Sequence, residues 1–188
     1  MLENLLSIPL TIIYALLFGT TMKIADLLDE HGLKWFKGSK ILFGFLWGIF
    51  GGLLILSNPI IANIYLALVL AFILRYRIDY LNHGIAATIM IFVFLLTQIV
   101  NWEVLLFFFS VFAIFGLATD YFENKKYPKN SLLRFCRKFV DLRAQYYLFP
   151  FLYSIYTGFW LAFFVVGLNM LFYEITLRFA KRKMKIKK

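Results

Sequence analysis

Ile41-Leu-Phe-Gly-Phe-Leu-Trp-Gly-Ile-Phe-Gly-Gly-Leu-Leu-Ile-Leu-Ser57, Asn58-Pro59 and Ile60-Ile-Ala-Asn-Ile-Tyr-Leu-Ala-Leu-Val-Leu-Ala-Phe-Ile-Leu74 follow one another without a single charged residue. A helix on the surface of a soluble protein keeps a polar stripe, whereas both of these arms are apolar on every face. That pattern belongs to segments surrounded by lipid or by other apolar helices. Asn58-Pro59 supplies the turn, so the stretch reads as a membrane hairpin with arms over 41–57 and 60–74. Each arm is a little shorter than the roughly 20 residues that cross a ~30 Å hydrocarbon core. Its polar ends, Arg75 and Arg77 included, therefore sit at headgroup depth, with the long side chains reaching toward water.

The rest of the chain follows the same rule. Of its 188 residues, 62% are hydrophobic, 20% aromatic and only 16% charged, more apolar surface than one water-soluble core requires. The expected class is all-α, a polytopic helical bundle in the cell membrane forming one transmembrane domain over 1–188. A single cysteine, Cys136, excludes an internal disulfide framework and any Cys-x-x-Cys ligand pair. The start, Met1-Leu-Glu-Asn4, has neither the basic region nor the small-residue cleavage site of a secretory signal, so the first apolar segment is expected to be retained.

The net charge of +10 is concentrated. Lys and Arg are absent from 1–22, 41–74, 78–124 and 144–177, and cluster at 23–40, 75–77, 125–143 and 178–188. Cytoplasmic loops carry the basic excess, so all four clusters are expected on the cytoplasmic side. Each basic-free stretch between two such clusters must then cross an even number of times, and the first stretch once. The parity gives about seven transmembrane helices, N-terminus outside and C-terminus cytoplasmic. The expected spans are 5–22, 41–57, 60–74, 85–100 and 104–118, then 144–156 and 159–178 with a break near Tyr156-Thr-Gly158. Between them, residues 123–145 alternate apolar and basic groups and read as an amphipathic connector on the cytoplasmic surface. Residues 179–188 form a polybasic tail suited to anionic headgroups. Gly44, Gly48 and Gly52, spaced by four, form a small-residue stripe for close helix packing, either within the chain or in a helix-mediated oligomer.

Three polar runs share one layout. Asp26 is followed by Asp29 and Glu30, Asp79 by Asn82 and His83, Asp120 by Glu123 and Asn124. Positions i, i+3 and i+4 share a helix face, so each run can aim an acid and two further ligand atoms at one point. If the first, third and fifth helices converge, Asp26, Asp29, Glu30, Asp79, Asp120 and Glu123 become candidate metal ligands. A hard cation such as Mg²⁺ takes carboxylate oxygens and completes its shell with substrate phosphate. Lys23, Arg75, Arg77, Lys125 and Lys126 interleave with these acids and are the candidate phosphate contacts. His31 and His83 are candidate proton carriers or ligands. The dipeptides His31-Gly32 and His83-Gly84 also fit helix C-caps. The basic clusters flank apolar spans, so nucleic acid is not an expected partner.

Asp120-Tyr-Phe-Glu-Asn-Lys-Lys-Tyr-Pro128 resembles the Asp-rich motif of UbiA-type intramembrane prenyltransferases, and Asp26-Leu-Leu-Asp29 is similar to their second Asp-rich motif. Thr119 stands where that motif opens with Asn. The resemblance implies acids that hold Mg²⁺ against an isoprenoid diphosphate. The leading expectation is thus a divalent-metal-dependent transferase acting on a phosphorylated lipid or isoprenoid at the cytoplasmic interface. The alternatives are an ion or small-solute transporter or channel, or a non-catalytic membrane partner subunit.

The parity argument is directly testable. On a Cys136→Ser background, single cysteines at positions 58 and 102 should react with an impermeant maleimide from outside, and those at 37, 128 and 185 only after permeabilisation. External labelling at 185 would leave a single crossing in 144–177.

Overall fold

Proline and asparagine place the helix starts. In the computed structural model, which describes residues 7–30, 32–97, 99–123 and 125–184, Pro9 occupies the first turn of α1 (Ile8–Asp29). Pro59 opens α3 (Pro59–Leu74), positions where a missing backbone donor costs nothing. Asn58 ends α2 (Ser39–Ser57) and caps α3, its side chain accepting from the Ile60 amide at 2.8 Å. There follow α4 (Leu81–Thr97), α5 (Trp102–Glu123), the short α6 (Ser131–Asp141), α7 (Gln145–Thr157) and α8 (Trp160–Met184). Gly158, at φ 76°, adopts the left-handed conformation that terminates α7, so the expected break near Tyr156-Thr-Gly158 is present.

The described residues are thus all-helical, with eight helices. Ile8–Asp29, Ser39–Ser57, Trp102–Glu123 and Trp160–Arg182 are long and apolar enough to cross a membrane, which points to a membrane protein. Pro59–Leu74 and Leu81–Thr97 are shorter apolar helices. Helix packing runs α1–α2–α4–α3–α5–α7–α8 and returns to α1, with α3 also touching α2 and α6 attached to α5. Phe18, Tyr65, Met90 and Phe108 fill the interior, while Phe92, Leu95, Leu106 and Ile114 face outward.

Asn63 shows how a polar side chain is accommodated in the interior. Asn63, fully buried, donates to the carbonyls of Pro59 (2.8 Å) and Ile99 (3.1 Å) and accepts from the Asn101 amide (3.0 Å). One side chain thereby fixes the turn between α4 and α5 to the start of α3.

The glycine stripe is used within the chain. A Cβ at Gly44 would stand 2.8 Å from the Asn82 Cα, and one at Gly48 3.0 Å from the Ala86 Cα. Backbone thus meets backbone along α2 and α4, and no part of the stripe at these two positions remains for a second copy.

Two expectations are corrected. The second polar run does not end α3: that helix stops at Leu74, and Asn82 and His83 lie in the first turn of α4. Gly84 is therefore a helical residue and no C-cap for His83. The amphipathic connector is a helix only over Ser131–Asp141, where Asn130 caps it by accepting from the Leu132 amide. Leu132 and Phe135 on this helix are exposed beside Arg134.

Gly48→Leu should lower the detergent melting transition by an amount equivalent to about 1–3 kcal/mol, because the α4 backbone cannot yield as a side chain would. Gly167→Ala, whose Cβ would meet only Tyr147 at 3.6 Å, should change little. Equal losses would remove the stripe from the packing account.

Candidate functional site

At the ends of α1 and α5 and the start of α4, the bundle encloses a cavity of about 320 Å³. All eight helices, or the loops beside them, contribute to its lining. One wall is built on α1. Asp26, 6% exposed, lies one turn beyond Lys23, which is also buried. Tyr173 of α8 donates its hydroxyl proton to Asp26 Oδ2 at 2.6 Å, and Lys23 Nζ donates to the Tyr173 oxygen at 2.9 Å. Lys23 Nζ also stands 3.5 Å from Asp26 Oδ2. A buried carboxylate is costly unless charge and hydrogen bonds meet it, and here both do.

The second oxygen of Asp26 faces α4. His83 Nε2 lies 3.2 Å from Asp26 Oδ1, and His83 Nδ1 lies 3.0 Å from the Arg77 carbonyl oxygen. A carbonyl only accepts, so Nδ1 carries the proton and Nε2 is the ring atom turned to the carboxylate. Two lone pairs cannot face each other at that distance. Either a second proton or a cation must lie between them. Glu30, which follows α1, completes a cluster: one ligand atom each from Asp26, Glu30 and His83 lies within 4.8 Å of the others. Partial desolvation, and then the neighbouring Asp26 charge, push the Glu30 carboxyl above its ordinary value.

The donor set fits a divalent cation. Metal–ligand bonds of about 2.0–2.2 Å place cis ligand atoms about 3 Å apart, the separation of Asp26 and His83. A ligating histidine commonly donates its other ring N–H to a carbonyl, as His83 does to Arg77. With an imidazole beside two carboxylates, Mn²⁺ and Zn²⁺ suit the set as well as Mg²⁺.

Opposite stands an arginine group. Arg75 grips Asp120 through Nε and Nη2, each at 2.8 Å, and Arg77 binds Asp120 as well as Glu123 at 2.6 Å. Hydrogen bonding to Asp120 holds the Arg77 guanidinium above even its usual value, so it stays charged. A Cβ on Gly116 would stand 2.5 Å from Arg75 Nη1, so the guanidinium passes over α5 only because glycine leaves the room. Arg143, which also lines the cavity, sits over the Tyr173 ring at 4.4 Å with its Nε 3.3 Å from Glu174. Tyr76 and Arg143 are the non-glycine residues with positive φ among the described residues, at 54° and 53°. Such backbone conformations carry strain and concentrate at functional sites.

The six candidate acids thus divide. Asp26 and Glu30 join His83; Asp29 is paired with Lys40 at 2.6 Å; Asp79 is exposed, 3.6 Å from His83 Nδ1 and beyond hydrogen-bonding distance. Asp120 and Glu123 are held by the two arginines that the sequence assigns to phosphate. Of the candidate phosphate contacts, Arg75 and Arg77 line the cavity. Lys23 turns instead to Asp26, Lys125 lies over the Tyr121 ring, and Lys126 is exposed. His31 lies outside the described residues.

Sequence reasoning missed Tyr173, Arg143, Gln145 and Trp47. Gln145 carried the clearest signal, an amide opening a long stretch without Lys or Arg; a tyrosine among many aromatics carried none. No protein-family model, curated protein or solved structure matches this chain.

Tyr173→Phe removes the donor to Asp26 and leaves Lys23 with one partner fewer. It should lower stability by about 1–3 kcal/mol, read as a reduced unfolding midpoint in detergent. Tyr156→Phe, at a side chain 90% exposed, should leave the midpoint unchanged. A silent Tyr173→Phe would mean that Asp26 is balanced without the tyrosine, by Lys23 and the His83 side.

Proposed function

We propose that this chain is a membrane-embedded transferase acting on a phosphorylated lipid or isoprenoid, with a divalent cation held by Asp26, Glu30 and His83. The observation that carries the reading is the Nε2–Oδ1 approach of 3.2 Å, with Nδ1 already committed to the Arg77 carbonyl. Asp26, Glu30 and His83 would hold the cation, and its charge would offset the repulsion between Nε2 and Oδ1 and within the Glu30–Asp26 pair. When bound, it supplies Lewis-acid polarisation of phosphate oxygens and offsets negative charge on a departing phosphate.

The chain's own groups do the rest. Arg75 and Arg77, fixed by Asp120 and Glu123, present guanidinium groups at set positions and bind phosphate without first having to be ordered. Tyr173 and Lys23 hold the Asp26 carboxylate in place. The apolar walls at Met22, Leu68 and Phe72 limit water in the cavity. The Asp-rich likeness to UbiA-type prenyltransferases supports this chemistry at Asp26, whereas Asp120 serves it indirectly, through the arginines.

In this reading the chain threads the cell membrane about seven times, with the N-terminus outside. All helices but α6 cross, and α6 lies along the cytoplasmic surface. The grouping of Lys and Arg at four places, three of them flanking the cavity's end of the bundle, supports that arrangement.

Thermal shift in detergent tests the proposal. Divalent cation at one hundred times its dissociation constant should stabilise the protein by about 2.7 kcal/mol. Glu30→Gln should remove most of the gain, while Asp29→Asn, at an acid already paired with Lys40, should keep it. If Mg²⁺, Mn²⁺ and Zn²⁺ all fail to stabilise the wild type, with or without a phosphorylated lipid, His83 is protonated on Asp26 and the enzyme reading falls. If metal stabilises and no phosphorylated compound adds to it, an ion-transport or regulatory site takes its place.

A further inference from the structure

Three buried polar atoms in the cavity wall have no hydrogen-bond partner among the described residues: the indole Nε1 of Trp47, the amide Oε1 of Gln145 and the amide Oδ1 of Asn169. Trp47 is 4% exposed and Gln145 3%. The Trp47 and His83 rings meet edge to face, centroids 5.4 Å apart, so the indole neighbours one of the candidate cation ligands. Gln145 begins α7, two residues after Arg143. An orphaned buried polar group costs the free energy of a lost hydrogen bond, so native proteins leave few of them. Three on one cavity, beside a candidate cation site and three arginines, point to a polar ligand.

The chemistry of that occupant can be read from the atoms. The indole N–H needs an acceptor. An amide offers one acceptor and two donors, a pattern answered by a hydroxyl group, which accepts and donates at once. The charged groups answer a phosphate. An isoprenoid diphosphate offers acceptors only and leaves Oε1 unmatched, and its hydrocarbon chain would gain nothing at an amide. Accordingly we infer, resting on the proposed function of this site, that the cavity takes a phosphorylated polyol of the glycerol phosphate type, its phosphate toward the cation and arginines and a hydroxyl on Gln145. The volume of about 320 Å³ suits such a headgroup. The group can arrive as a free polyol phosphate or as a lipid headgroup.

Isothermal titration of the purified full chain with Mn²⁺ separates the possibilities. Glycerol 3-phosphate should bind roughly ten- to a hundredfold more tightly than propyl phosphate, which has the same charge and no hydroxyl. Gln145→Met, similar in shape and without the amide, should bring the two ligands level while leaving propyl phosphate affinity unchanged. Lysophosphatidic acid in detergent, compared with glycerol 3-phosphate, tells a lipid source from a soluble one, and tighter binding of either supports the inference. Propyl phosphate or geranyl diphosphate binding as tightly as glycerol 3-phosphate to the wild type would overturn the polyol while leaving the metal–phosphate site intact; this comparison stands even if the Gln145 variant fails to fold. Loss of all phosphate binding together with all divalent response would instead sink the site reading on which the inference rests.

Discussion

A carboxylate withdrawn from water must be surrounded before the chain can close around it, and Asp26 sets the terms for this bundle. Its two oxygens are met by α8 through Tyr173, by α4 through His83, and from within α1 by Lys23. In a soluble protein, exchanging such a cluster for apolar groups often costs nothing. Within an apolar bundle, however, hydrophobic burial distinguishes one helix orientation from another only weakly, since lipid is as apolar as leucine. A directional set of polar bonds then fixes rotation and depth. The Asp26 set does this for three helices, and Asn63 does it at the opposite end for the start of α3 and the turn before α5.

The arginine group solves a related problem differently. Arg75 and Arg77 are delivered by the loop between α3 and α4, and Asp120 and Glu123 by the end of α5, which packs against α3. Fork-shaped guanidinium groups match a carboxylate bidentately, so the loop is tied down by geometry as well as charge. Lysine would not serve. Gly116 is the silent partner in this arrangement, since any side chain there would occupy the space through which Arg75 extends.

Helix existence and breaks were legible because they depend on local chemistry: Asn58-Pro59 turns the chain whatever surrounds it, and Gly158 can adopt a left-handed conformation that most residues avoid. The glycine spacing on α2 likewise announced a close neighbour, though not that α4 would be the one. Partnership was the illegible part. Asp26 and Tyr173 are 147 residues apart, and Asp120 lies 45 from Arg75; nothing in either neighbourhood names the other. The repeated Asp layout predicts convergence of three runs. In the structure the first supplies Asp26 and Glu30 to the cluster with His83, the second supplies that histidine, and the third steadies arginines. Identical spacing thus serves three ends, because a helix face specifies direction and leaves the neighbour in that direction open.

The circuit of helix contacts joins α1 directly to α8, and that adjacency governs biogenesis. During synthesis α1 is made long before α8 exists, so Asp26 waits without Tyr173 while the intervening helices are made. Asn82 and His83 reach it earlier, Asn82 bonding the Ala25 carbonyl at 3.0 Å, which gives the half-built bundle a provisional clasp. Only the arrival of the final helix seals the cavity wall. A chain cut short before α8 would leave Asp26 without its tyrosine donor and the cavity open on that side.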